Sequence, residues 1–181
     1  MRRMIALAAA SAVLLAAIPA SAAADAGMPA EKQTGGDWER VPSAPFDQAA
    51  GVTCDFPVHG EPIVDLVVRM VLQTYPDGSV KREMYTGALI IRITNTTTGA
   101  SVDKDASGTA VVDYKPGGSY SSNSTWHAEG PILLGMRADG GNLPRALYIV
   151  NGIYTLNFSK SGYRTVKWKV DGGADNICDD L

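Results

Sequence analysis

From Val64 to Leu72 an apolar side chain falls on every second residue: Val64, Leu66, Val68, Met70 and Leu72. Asp65, Arg69, Gln73 and Tyr75 occupy the alternate positions, with valines between them. Alternation of this length, rich in β-branched residues, predicts one long half-buried strand over 63–75 rather than a helix. Pro76-Asp77-Gly78 follows. Proline presets a negative φ and glycine accepts a positive one, so the tripeptide reads as a hairpin turn.

The pattern repeats along the chain. Residues 81–95 read as a return strand bent at Gly87, with Leu89, Ile91 and Ile93 on one face. Polar turns at 95–101 and 103–108 lead into TAVVDY, and KPGGS turns into YSSNSTWHAEG and then GPILLGM. RADGGNLPR reads as a projecting loop. ALYIV and IYTLNF are separated by Asn151-Gly152, a strong short-hairpin signal. SKSG turns into YRTVKWKV, where Val166, Trp168 and Val170 share a face. No segment carries the apolar spacing of an amphipathic helix. The expected fold is all-β: a single antiparallel up-and-down barrel of about eight to ten strands, with a two-sheet sandwich as the alternative. A barrel also removes exposed strand edges by closing them.

The N-terminal quarter behaves differently. Arg2 and Arg3 precede an apolar run from Met4 to Ile18, and Pro19 and small residues follow. That is the layout of a Sec-type secretory signal peptide over 1–24, cleaved after about Ala22 or Ala24, and too short to span a bilayer. Residues 25–51 carry scattered charges and no periodicity, and read as a flexible segment on which Trp38 and Phe46 are the only docking candidates. The β domain is expected over 52–181. Loss of Arg2 and Arg3 takes the formal net charge from −3 to about −5. No basic cluster stands out, which argues against nucleic acid and an anionic membrane surface as partners.

Export gives the two cysteines a meaning. Cys54 and Cys178 stand alone at the two edges of the domain. In an oxidising compartment such a pair is most simply a disulfide. A meander that brings its first and last strands together would place them side by side, closing a loop of about 125 residues.

Several stretches together resemble a family of small secreted actinobacterial proteins of unknown function: CDFPV after a loose leader, ITNTTTG, SGTAVV, GPILLG, and a terminal Asp-x-x-Cys-x-x-Leu at Asp175, Cys178 and Leu181. The resemblance covers about Cys54 to Leu181. It implies export and a β domain, and brings no catalytic residue with it.

Candidate chemistry is sparse. His59 and His127 each stand two residues before a glutamate, Glu61 and Glu129, so on a strand each pair would face one way and could approach a metal. Surface histidines are the simpler reading. Asp103 to Gly108 begins like a calcium loop, but position twelve holds Tyr114 where a bidentate glutamate is needed. Asp113, His127 and a serine are a conceivable triad, yet no nucleophile motif accompanies them. No catalytic residue, metal ligand or cofactor is therefore assigned. The most suggestive stretch is Tyr120 to Glu129. Extended, it sets Tyr120, Ser122, Ser124 and Trp126 on one face, and His127 lies on the other. Small hydroxyls beside aromatic rings suit a ligand-holding interior, so these residues with His127 and Glu129 are the ligand-binding candidates. A solvated edge strand accounts for the same composition. The expected function is that of a secreted monomeric protein that binds a small molecule or another extracellular protein, or has a structural role at the surface. A secreted hydrolase, or an inhibitor or effector of another secreted protein, is the alternative.

Overall fold

The long alternating stretch is two strands, not one. In a computed structural model describing residues 36–181, strands β3 (Val58–Asp65) and β4 (Val68–Thr74) meet at Leu66-Val67 and belong to different sheets. The same device recurs along the chain. β5 (Val80–Thr86) passes into β6 (Leu89–Asn95), β7 (Ser101–Asp105) into β8 (Thr109–Ser119), and β9 (Ser122–Glu129) into β10 (Ile132–Met136). β11 (Ala146–Asn151) passes into β12 (Ile153–Phe158), and β13 (Arg164–Trp168) into β14 (Gly173–Asn176), each time with a change of sheet. Short strands β1 (Glu39–Arg40) and β2 (Phe46–Gln48) precede them, and a 3-10 turn, Ile177–Asp180, ends the chain.

Every strand pairing is antiparallel and follows the meander. A seven-stranded sheet runs β1-β4-β5-β8-β9-β12-β13, a four-stranded sheet β2-β3-β6-β7, and a three-stranded sheet β10-β11-β14. The expected closed barrel is not formed among the described residues, and the arrangement is sandwich-like. The order of strands is that of an up-and-down meander, but each bends midway, and β7 and β10 are not hydrogen-bonded to each other. The bends stack, which selects glycine. A Cβ on Gly87 would collide with the carbonyl of Leu66, and one on Gly130 with the carbonyl of Val150.

Asn151-Gly152 makes one of these bends instead of the expected hairpin. β11 pairs with β10 and β14, whereas β12 pairs with β9 and β13. The reason lies in ALYIV, whose five residues are all buried. Ala146, Tyr148 and Val150 pack with Val112, Trp126 and Leu156 of the seven-stranded sheet. Leu147 and Ile149 pack with Val58, Ile91 and Ile93 of the four-stranded sheet. The three-stranded sheet is thus a middle layer, and its central strand is apolar on both faces because both are covered.

Other expectations hold locally. Pro76-Asp77-Gly78 turns β4 into β5, with Gly78 at φ 87° and Tyr75 N–H bonded to the Ser79 carbonyl at 2.8 Å. Cys54 and Cys178 form a disulfide, Cα atoms 5.5 Å apart. The signal peptide expected over 1–24, with the segment up to residue 35, lies outside the described residues. The described part of 25–51 contributes β1, paired with β4, and β2, paired with β3. Phe46 packs against the second core cluster, and Trp38 stays exposed. The loop 137–145 does not project freely. The Asn142 side chain both donates to the Val166 carbonyl (2.8 Å) and accepts from its N–H (2.9 Å), which pins the loop to β13.

Candidate functional site

The hairpin joining β8 and β9 carries the stretch singled out above, and its register slips between Tyr114 and Ser119. The slip puts Tyr120 in the turn rather than on the strand. There its ring stands edge-to-face against Trp126 (centroids 4.2 Å apart) and against Tyr85 (5.7 Å). The Tyr120 carbonyl accepts from Trp126 Nε1 at 3.1 Å and from Ser124 Oγ at 3.3 Å. Ser124 and Trp126 are buried in the packed layer below. Ser122 donates to the Lys160 carbonyl at 3.0 Å. His127 and Glu129 point out of the other side of the sheet. The six candidates therefore do not converge: Tyr120, 52% exposed, is the one that lines a cleft, and Trp126 props it from beneath.

That cleft lies beside the bends from β5 to β6 and from β7 to β8, against the start of β10. It has a volume of about 370 Å³, with Phe46, Leu89, Ala110, Ile132 and Leu133 among its apolar walls. Tyr85 and Tyr120 divide it from a second hollow of about 360 Å³ on the same inner face of the seven-stranded sheet. This second space is the more polar of the two. Strand alternation on β5 sends Glu83 and Tyr85 inward, beside Arg69 of β4 and Tyr114 of β8.

Glu83 is the centre of that group. Its side chain is 4% exposed. One carboxylate oxygen, Oε1, accepts from the Tyr85 hydroxyl at 2.5 Å and from the Tyr114 hydroxyl. The other, Oε2, has no hydrogen-bond partner, and Arg69 Nη1 stands 3.5 Å away. Arg69 is held in place by Glu39, through Nε at 3.0 Å and Nη2 at 2.8 Å. Burial first, and then the Glu83 carboxylate, push the Tyr85 phenol up to about 12. The same causes raise Tyr114, and burial raises Tyr120. All three phenols stay protonated at neutral pH, and Tyr85 and Tyr114 donate to Glu83. The Tyr75 hydroxyl donates to the Tyr114 carbonyl at 2.7 Å, bracing the far wall.

Sequence reasoning missed Glu83, Arg69, Tyr85 and Tyr114. The one legible signal was position: Glu83 and Tyr85 share a side of β5 with Lys81, a charged set that reads naturally as the solvent face. The structure puts Glu83 inside, where two phenol hydroxyls and Arg69 meet its carboxylate.

The other candidates resolve into surface pairs. His59 Nδ1 lies 2.7 Å from Asp47 Oδ1 on the four-stranded sheet, and His127 Nε2 lies 3.1 Å from Asp113 Oδ2 on the seven-stranded sheet. The two histidine–glutamate pairs thus sit on different sheets, and no group of three potential ligands that could hold a metal occurs among the described residues. Asp113 is also clamped by Arg82, through Nε at 2.5 Å and Nη2 at 2.8 Å. Burial alone would raise the Asp113 carboxyl, and Arg82, helped by His127, outweighs it and holds it below its ordinary value. Asp103 pairs with Arg92 and Lys104 with Asp180, while Asp105 accepts from the Ser107 N–H. The calcium-like stretch is therefore a strand and its turn.

No family model matches the chain, and neither does any curated protein or solved structure. Among the described residues no helix is long and apolar enough to cross a membrane.

Proposed function

We propose that the chain is an exported, non-catalytic binding protein whose ligand lodges in the cleft between the β5–β6 and β7–β8 bends and the start of β10. The observation that supports this reading is the cleft itself. Over most of the interior the inner faces of the three sheets interlock around buried side chains. Here about 370 Å³ remains open between apolar walls, with a half-exposed tyrosine at its border. A concave, mostly apolar space with a few polar groups at one end is the ordinary form of a small-molecule site. The disulfide fits the oxidising compartment that export implies.

Native mass spectrometry of mature protein taken from its own culture medium tests the reading. A co-purifying mass that disappears in Ala44→Trp, which adds bulk at the exposed mouth of the cleft, is the expected result. A protein that is always empty, with Trp126 fluorescence indifferent to metabolite panels, refutes it. The Asp113–His127 contact keeps a hydrolase as the second reading. An activity found in a substrate screen and unchanged by His127→Ala would remove the one candidate base.

A further inference from the structure

Glu83 Oε2 and Arg69 Nη1, an acceptor and a donor, stand 3.5 Å apart beneath the wall of the hollow, with Oε2 itself closed off from solvent. The carboxylate is almost wholly buried, yet this oxygen has no hydrogen bond. A buried charged acceptor without a donor costs considerably more than an exposed one, and folded chains rarely leave it so without a use. The neighbouring groups narrow what would complete it. Two phenols already fill Oε1, and Glu39 already holds the Nε and Nη2 edge of Arg69.

A cation would satisfy Oε2 but would meet Arg69 at contact distance and Lys115 at the rim. An anion would satisfy Arg69 but would face Glu83. A hydroxyl does both, donating its proton to the carboxylate and accepting from the guanidinium. Beside this pair stands the Tyr120 ring, half-exposed and fixed edge-on by Tyr85 and Trp126. A fixed ring is a platform for the C–H face of a saturated ring, whose apolar faces and polar edges match this layout.

We propose that the hollow formed by Glu83, Arg69 and Tyr120 binds a neutral polyhydroxylated ligand, a saccharide. One hydroxyl inserts between Arg69 Nη1 and Glu83 Oε2 as the two side chains part around it, while the ring of that residue packs on Tyr120. This assignment rests on the reading of the chain as a binding protein and adds to the cleft a second, neighbouring subsite beyond Tyr85 and Tyr120, with the class of its ligand.

The test is a titration of the mature, disulfide-bonded protein followed by backbone amide shifts. The neutral probes are cellohexaose, maltohexaose and the hexamer of N-acetylglucosamine. Phenethylammonium supplies the cation arm and dodecanoate the apolar anion arm. The expected result is saturable binding of at least one oligosaccharide, with shifts centred on β5 and the β8–β9 turn. Tyr120→Ala and Glu83→Gln should each weaken it about tenfold or more, the loss expected when a stacking ring or a charge-assisted hydrogen bond is removed. Ser161→Ala, away from this hollow, should leave it unchanged. Should Glu83→Gln fail to fold, Tyr120→Ala carries the test, since that ring lies on an exposed turn.

The proposal is overturned if none of the three oligosaccharides binds, or if binding is indifferent to both variants. Binding of phenethylammonium or dodecanoate alone in the cleft would remove the saccharide assignment and leave the binding function standing. A protein that takes none of the probes and is also empty in native mass spectrometry would remove both.

Discussion

The disulfide ties the two ends of the meander together, and its removal is the perturbation whose cost follows most directly from the structure. Cys54 precedes β3 and Cys178 follows β14, 124 residues apart in sequence. In the chain-entropy treatment a closed loop of that length removes about 5 kcal/mol of freedom from the unfolded chain at room temperature. Residual compactness of the unfolded chain reduces the figure, so a measured loss of about 3–5 kcal/mol is expected. Serine is the wrong replacement, because Cys54 is buried beside Val58, Ile93 and Ile177 and a hydroxyl there would add its own penalty. The double variant Cys54→Ala/Cys178→Ala isolates the crosslink more cleanly. Equilibrium urea unfolding should give a lower midpoint and a steeper dependence on urea, because the released unfolded chain expands and exposes more surface. Total stability of such a domain is typically about 5–15 kcal/mol, so the loss would be a large share of it. A loss below about 1 kcal/mol with an unchanged slope would refute the argument that the bridge acts on the unfolded chain.

Three further outcomes follow from the packing and the charges. Ile149→Ala, in the strand covered on both faces, should cost about 2–5 kcal/mol in the same urea assay, whereas Ile63→Ala on the exposed side of β3 should stay within about 0.5. The Tyr154 hydroxyl is buried without a hydrogen-bond partner, so Tyr154→Phe should be neutral or stabilising by up to about 1 kcal/mol; a clear loss would reveal a partner for that hydroxyl. Asp113 and Asp65 are both held below the ordinary carboxylate value, Asp113 by Arg82 against its burial and Asp65 by the Ser43 and Val67 N–H groups against its own. Their contribution is complete above about pH 4 and is lost as pH falls through the lower folded values, so stability should decline there. In Asp113→Asn, urea midpoints measured from pH 6 to 2.5 should fall less steeply than in the parent; parallel curves would contradict the assignment.

The site was legible in one residue and hidden in the rest. Tyr120 stood out because hydroxyls and an aromatic crowd its neighbourhood. Ser124 and Trp126 shared its expected face, but alternation cannot tell a ligand-lining interior from a packed one, and a layer of β11 side chains fills theirs. Glu83 was invisible for the opposite reason. A charged residue on an alternating strand reads as solvent-facing, and only the two phenol donors and Arg69 that the fold brings to its carboxylate make its inner position tenable.

Much of the fold needed no third dimension. The antiparallel meander follows from period-two alternation and short turns, because hairpin geometry is local. The bridging of Cys54 to Cys178 follows from their isolation at the two edges of the β domain and from the expectation of export. Tertiary structure decided the rest: where the long strands bend, which half joins which sheet, and that the meander does not close among the described residues. Alternation reports which side of a strand is apolar, not which layer covers it. Leu66-Val67 and Asn151-Gly152 thus became corners instead of mid-strand and hairpin, since each long strand buries its two halves against different partners.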